Sequence, residues 1–401
     1  MNKTSLIDSL NQLQLIELDA CTGCSECLNW CPVFEALEDK SISPPQKISS
    51  YRNLVNQLHG LRAKLTGGKI DAVELQRLND ALYQCTTCGV CGEVCEVGIW
   101  TQELWPALRA KMVDLGVGPI GAQQESQATV QCYHNPYSQP PEMRNAWLPD
   151  GVKIEQRAEV GYYVGCSGAY VANPLVIGGV KMLKALGIPF TMLDAEEEQC
   201  CGFPLYIIGQ NEIVADLIKH NVDAYVARGV TTLVVSCPCC TNMLKNHWPR
   251  LYPGEFPLKI VHIMELAAPA LISGKLRLRP LNEVVTYHDP CYLSRAKGVG
   301  IIEEPRQILQ AIPGLRLVEF SRNRELSKCC GAGGGIRRAY PELSFDIALS
   351  IVKEAEAMGA ERMVISCPAC YERFPLAIKT RNYTTNLKIC DIMEFVTDLL
   401  E

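Results

Sequence analysis

The sequence predicts an α+β multidomain protein: an all-α N-terminal domain followed by two copies of one α/β unit. Three observations predict it. Two cysteine runs of identical spacing lie in the first quarter of the chain, with helical periodicity between them. The remainder repeats itself at a fixed offset. Inside each copy, β-rich runs alternate with helical ones.

The N-terminal runs are Cys21, Cys24, Cys27 and Cys31, followed by Pro32, and Cys85, Cys88, Cys91 and Cys95. Both have the bacterial ferredoxin spacing C-x2-C-x2-C-x3-C, in which three cysteines of one loop hold a cubane [4Fe-4S] cluster and the fourth ligates the other cluster. By that rule Cys21, Cys24, Cys27 and Cys95 form one ligand set, and Cys85, Cys88, Cys91 and Cys31 the second. Glu96 follows Cys95 where a proline is usual. Zinc is the alternative occupant of such thiolates. Between the runs lie 53 residues, too many for a compact ferredoxin. Ile48 to Leu65 and Asp71 to Leu82 place apolar residues at helical intervals. The first domain is set at residues 1–117. Residues 118–157, rich in Gln, Pro, Asn and Gly, read as a linker.

From residue 158 the chain is duplicated, with copies at 158–275 and 276–401. Cys200 and Cys329 differ by 129, and Cys237 and Cys367 by 130. The octets beginning at Leu258 and Leu387 differ by 129. In each copy a β-rich run leads into the first cysteine, Val160 to Val164 and Val284 to Tyr287, and another into a C-x-x-C, Thr231 to Val235 and Arg362 to Ile365. Helical patterns, such as Leu175 to Leu186 and Asn211 to Arg228, separate them. Strands alternating with helices imply parallel sheets, whose carboxyl ends hold the functional groups. Cys166, Cys200, Cys201, Cys237 and Cys240 are thereby expected to converge, as are Cys291, Cys329, Cys330, Cys367 and Cys370.

Composition excludes several classes. The chain has 401 residues, 48% of them hydrophobic and 20% charged, as in soluble globular proteins, and a formal charge of -6 with scattered Lys and Arg. A nucleic-acid footprint is absent. No apolar run reaches the roughly 18 residues that span a bilayer. The start, Met1 to Asp8, lacks a secretory leader, and cysteine clusters in a long chain of this kind point to a reducing cytoplasm.

With C-x33-CC-x35-C-x2-C in the first copy and C-x37-CC-x36-C-x2-C in the second, residues 160 to 400 resemble the cysteine-rich CCG domain of heterodisulfide reductases. With the ferredoxin motifs in front, nearly the whole chain resembles the family of D-type heterodisulfide reductase subunits. The resemblance implies an N-terminal all-α ferredoxin-like domain with two cubane clusters, followed by two duplicated α/β CCG domains in a pseudo-two-fold arrangement, each with a noncubane [4Fe-4S] cluster on five cysteines. It implies an iron-sulfur oxidoreductase subunit of an anaerobic respiratory complex that takes electrons through the cubane clusters and reduces a heterodisulfide, in the family that of coenzymes M and B. The expected partners are a membrane cytochrome b-type subunit or a flavin-containing oxidoreductase, and a small-molecule disulfide. The expected location is the cytoplasmic face of a membrane, reached through a partner. A non-catalytic electron relay is the rival function.

The expected pocket lies between the copies, bounded by Cys166, Cys200 and Cys201 on one side and Cys291, Cys329 and Cys330 on the other. His288, three residues before Cys291, is a candidate proton donor. Cys239 is extra to the pattern and its counterpart is Ala369, so it reads as a bystander. Cys132 and Cys390 read as small buried hydrophobes. The glycines from Gly331 to Gly335 lack the spacing of a phosphate loop and read as a close backbone approach to a cluster.

Overall fold

Helices Pro44–His59 and Ala72–Tyr83 fill the interval between the two ferredoxin-spaced motifs. Ser43 accepts from the Gln46 amide, and Asp71 from the amides of Val73 and Glu74, so both helix starts satisfy amides that have no partner within the helix. The single helix expected from Ile48 to Leu65 is instead two, Pro44–His59 and Leu61–Thr66. Gly60 makes the break: its backbone is extended, and a Cβ there would lie 2.5 Å from the Asn56 carbonyl oxygen. The structure is a computed structural model and describes residues 6–8 and 10–401, so most of the start read as leaderless, Met1 to Ser5, lies outside the described residues.

The chain forms two compact units. The first comprises residues up to Glu125 together with Pro204–Asn211 and Gly331–Ile347; the second comprises Ser126–Phe203, Glu212–Cys330 and Ala348–Glu401. The two short segments that complete the first unit begin just after the Cys-Cys pairs of the two copies. They are built into its core, where Val33, Ile42 and Ala81 pack with Ile336, Leu343 and Ile347. Arg109, on helix Thr101–Asp114, is fully buried. Its guanidinium donates to the carbonyls of Leu82 (2.7 Å), Cys85 (2.8 Å), Ile207 (2.8 Å) and Gly334 (2.8 Å). A single cation thus ties the second cysteine loop to both inserted segments.

The second unit holds two parallel sheets. In the first copy the strands are β1 (Val160–Tyr163), β2 (Thr232–Val235) and β3 (Lys259–His262), in the order β1-β2-β3. In the second they are β4 (Val284–Tyr287), β5 (Arg316–Val318), β6 (Arg362–Ile365) and β7 (Lys388–Asp391), in the order β5-β4-β6-β7. All the pairings are parallel. The short β5 is absent from the sequence reading. Its counterpart in the first copy is reduced to one parallel bridge, Gly161 to Thr191. Most strand side chains are buried, as expected of parallel sheets covered on both faces.

Contacts between the copies come in matched pairs. Helix Asn173–Ala185 packs on Ile392–Thr397, and Glu304–Gln310 on Ile263–Ile272. Helix Cys166–Tyr170 packs on Pro368–Thr380, and Cys291–Ser294 on Pro238–Asn242. The stretch read as a linker contains helix Ser126–Tyr133 and contributes Val130 and Arg144 to the interior, both fully buried. Among the described residues no helix is long and apolar enough to cross a membrane.

Candidate iron-sulfur and thiol site

In the first unit the cysteines gather around two cavities. One is lined by Cys21, Cys24, Cys27 and Cys95, with Cys91 on its wall; the other by Cys31, Cys85, Cys88 and Cys91. Each cavity therefore draws its fourth cysteine from the other motif, the exchange that the ferredoxin spacing predicts. Glu96 and Val97 sit on the wall beside Cys95, so a glutamate in place of proline does not remove that thiol from the ring. Cys24 is exposed, whereas Cys88 and Cys91 are buried. The first set faces solvent and the second lies deeper.

Crowding sets the chemistry of these thiols. Burial, followed by the neighbouring Cys91 and Cys24, pushes the Cys27 thiol up to about 12. Burial likewise pushes Cys31 up to about 11, and Cys91 up to about 12 with Cys85 and Cys88 adding to it. Thiols so arranged resist ionising together unless a positive group sits among them. An iron-sulfur core fits that requirement, because metal ligation deprotonates the thiols it binds. Among the described residues no three His, Cys, Asp or Glu side chains close on one point as ligands of a single ion.

In the second unit the cysteines stand at the carboxyl ends of the strands. Cys166 follows β1, Cys237 follows β2, Cys291 follows β4 and Cys367 follows β6. Cys166 interacts with Cys200, and Cys200 with Cys201. Cys240 Sγ lies 3.6 Å from Cys201 Sγ, and Cys237 interacts with Cys240. The five cysteines expected in the first copy are thus brought together. In the second copy Cys330 interacts with Cys370, and Cys370 with Cys367. Cys329 is buried beside Cys330, and Cys291 is half-buried where β4 ends. Cys200 and Cys240 hold the Cys201 thiol down to about 6, and Cys239 and Cys370 hold Cys367 down to about 5. None of the described cysteines is in a disulfide.

Cys239, read as a bystander, has its side chain against both Cys237 and Cys367 and so touches both copies. Cys390 is buried, 3.6 Å from an Arg362 nitrogen. Cys132 is exposed, so the reading of a buried hydrophobe fails for it. The reason is its place on the short helix Ser126–Tyr133, in a stretch with too little periodicity to mark its buried face. The glycine loop does make a close backbone approach, though to protein: a Cβ on Gly334 would lie 2.2 Å from the Cys85 carbonyl oxygen, and Gly334 has φ +61.

His288 is buried, with Nε2 3.0 Å from the Lys328 carbonyl and its ring edge-on to Phe320 and Phe374. Nδ1 has no hydrogen-bond partner among the described residues. Tyr163 occupies the same place in the first copy, three residues before Cys166, and its hydroxyl donates to the Gln199 carbonyl at 2.7 Å. Each side chain ties the end of a strand to the residue preceding a Cys-Cys pair. A second matched pair lies one residue earlier: the Tyr162 hydroxyl meets Ser236 at 2.8 Å, and that of Tyr287 meets Ser366 at 2.6 Å.

Two residues at the site carry no signal in the sequence. Arg144 lies in the stretch read as linker, and Glu198 ends an acidic run that reads as solvated. Both are buried, 2.9 Å apart, beside Cys166.

Residues 160–245 and 285–374 match the family described as Cysteine-rich domain, CCG, and residues 17–99 match the 4Fe-4S dicluster domain. The chain is 42% identical over 376 residues, 92% of its length and 91% of the relative's, to the D-type subunit of the Dihydromethanophenazine:CoB--CoM heterodisulfide reductase of Methanosarcina acetivorans. It is 27% identical to the B-type subunit of the Fumarate reductase (CoM/CoB) of Methanothermobacter marburgensis, covering 95% of this chain and 72% of that one. A solved structure of a hypothetical protein from Helicobacter pylori shares the fold, with a TM-score of 0.56 at 12% identity, over 98% of this chain and 73% of that one. Two thiol-lined cavities, a duplicated five-cysteine pattern and this likeness over nearly the full length agree: the chain is an iron-sulfur oxidoreductase subunit of the heterodisulfide reductase family, in its D-type branch.

Proposed function

We propose that the chain takes electrons at the N-terminal cysteine sets and delivers them to the duplicated sets, where a heterodisulfide of the CoB--CoM type is reduced to two thiols. The observation that carries this reading is the thiol-to-thiol convergence of Cys166, Cys200, Cys201, Cys240 and Cys237. A cubane cluster that only carries electrons is held by four cysteines. The name of the Methanosarcina acetivorans relative supports the substrate class.

In this reading two cubane [4Fe-4S] clusters occupy the exchanged ligand sets of residues 1–117, and two noncubane [4Fe-4S] clusters occupy the sets of 158–275 and 276–401. When bound, these groups supply one-electron chemistry, so that two of them supply the electron pair a disulfide requires. The protein holds the ligands at the strand ends, keeps most of them from water, and presents the two sets to one substrate. The matched helix contacts between the copies support a pseudo-two-fold relation. So does the T-shaped contact of Phe203, just after one Cys-Cys-Gly, with Tyr292, just after Cys291. Tyr163 and His288 position the paired cysteines, and His288 Nδ1 is the nitrogen free to carry a proton. A cytochrome b-type or flavin-containing partner feeds the exposed Cys24 side, and such a partner would keep the chain at the cytoplasmic face of a membrane.

The test is anaerobic turnover of the iron-loaded protein with a reduced viologen and the CoB--CoM heterodisulfide, counting the thiols released. Two thiols per two electrons are expected. Rapid reduction of all the iron centres with no thiol release would assign the chain to electron relay instead.

A further inference from the structure

The Arg144 guanidinium is fully buried beside the first cysteine of the first copy, with Nη1 and Nη2 at 3.9 and 3.8 Å from Cys166 Sγ. Nη1 donates to Glu198 Oε1 at 2.9 Å and Nη2 to the His134 carbonyl at 3.0 Å. The Tyr170 ring covers it, 5.5 Å from ring centroid to guanidinium carbon. The carboxylate that holds it is itself saturated: Glu198 accepts from the Val164 and Gly165 amides and from the Tyr225 hydroxyl. The negative charge of Glu198 is therefore spread over four donors, while Arg144 directs two N–H groups toward the Cys166 sulfur.

An arginine stays charged in a protein interior, and isolating one costs several kcal/mol unless it is paired. Glu198 and His134 take one N–H from each terminal nitrogen and Nε has no hydrogen-bond partner among the described residues, so it is the terminal nitrogens that also approach Cys166. The second copy holds its cation differently: Arg295, buried four residues after Cys291, donates from Nη1 to the Glu325 carbonyl and to the carbonyl and hydroxyl of Ser327, which stands where Glu198 stands in the first copy.

We infer that Arg144 raises the reduction potential of the first-copy centre by placing a fixed positive charge and N–H donors at its Cys166 ligand. Hydrogen bonds to ligand sulfur and local charge both set the potentials of iron-sulfur centres. On one-electron reduction the added negative charge lies partly on the sulfurs, where the guanidinium stabilises it. No bond in the protein is made or broken, and the electron comes from the reductant. Arg144 is a positioning residue in this role, since it acts through Cys166.

The inference rests on iron-sulfur centres at the duplicated sets, and the two fail separately. Absence of any C-terminal centre in the unchanged protein sinks the proposed function, whereas an unmoved potential sinks only the role of Arg144. The experiment is a dithionite titration of the full chain, followed by EPR, for the unchanged protein, Arg144→Lys, Arg144→Gln and Glu198→Gln. Arg144→Gln is expected to weaken reduction of one C-terminal centre about tenfold, which for a one-electron couple is about 59 mV downward, and to leave the other centre in place. Arg144→Lys recovers part of the shift. Glu198→Gln, which removes the counter-charge, moves the same centre upward. Equal potentials in all four proteins overturn the inference, as does a shift of every centre together. Loss of iron from the first copy in both Arg144→Lys and Glu198→Gln overturns it too, because the pair would then be scaffold alone.

Discussion

Cys201 Sγ and Cys240 Sγ lie 3.6 Å apart although 39 residues separate them, joining the Cys-Cys pair of the first copy to its C-x-x-C. With four [4Fe-4S] groups, iron should reach about sixteen atoms per chain. Cys201→Ser is expected to remove about four of them and to abolish disulfide reduction, while the N-terminal EPR signals remain. Iron analysis together with EPR checks this, and loss of all four centres would show that the two units do not load independently.

Arg109 donates to four backbone carbonyls. Arg109→Met leaves the carbonyls of Leu82, Cys85, Ile207 and Gly334 without this donor. Leaving a buried acceptor without its donor costs about 1–3 kcal/mol. Denaturant unfolding of the iron-loaded protein should show a fall of that order, together with earlier loss of the N-terminal centres.

Acid should act through His262. Burial holds its imidazole down to about 4, from an ordinary 6.5, and Nδ1 accepts from the Met264 amide while Nε2 faces the Ser236 carbonyl. A base with a depressed folded value contributes stability that is complete above about pH 6.5 and is lost as pH falls through about 4, on the order of 3 kcal/mol in all. His262→Asn keeps a helix-capping acceptor. It should match the unchanged protein near pH 8 within about 1 kcal/mol and flatten the stability curve between about pH 6.5 and 4. Chemical unfolding at several pH values reads this directly.

His288→Tyr places in the second copy the side chain that the first copy already uses. If the Lys328 contact is a tether like that of Tyr163 to Gln199, disulfide reduction should persist within about threefold. A drop of about a hundredfold, the usual contribution of a general acid, would make His288 the proton donor instead. Steady-state rates across pH separate the two.

Much of this architecture was legible because its signals are local. The four strands beside the cysteines appear within a residue of where their β-rich runs place them, since a buried parallel strand needs only a short apolar run. The exchange of Cys31 and Cys95 between cavities follows from loop spacing alone. Arg144 and Glu198 were illegible for the opposite reason. A buried ion pair 54 residues apart leaves no periodicity, and an acidic run gives no hint which carboxylate turns inward. The contact of Cys239 with Cys367 was illegible because its partner lies in the other copy. The break at Gly60 could have been found, because a glycine stood there in the sequence.

The three-segment make-up of the first unit has a consequence for inheritance. A domain whose chain is continuous can be cut out, fused elsewhere or traded between genes. In this one Ile336, Leu343 and Ile347, encoded late in the gene, pack against Val33 and Ala81, encoded near its start. During synthesis the early cysteine loops must wait for almost the entire chain before their last supports exist. Two polypeptides divided after Glu125 would therefore have to associate before the core of the first unit is complete.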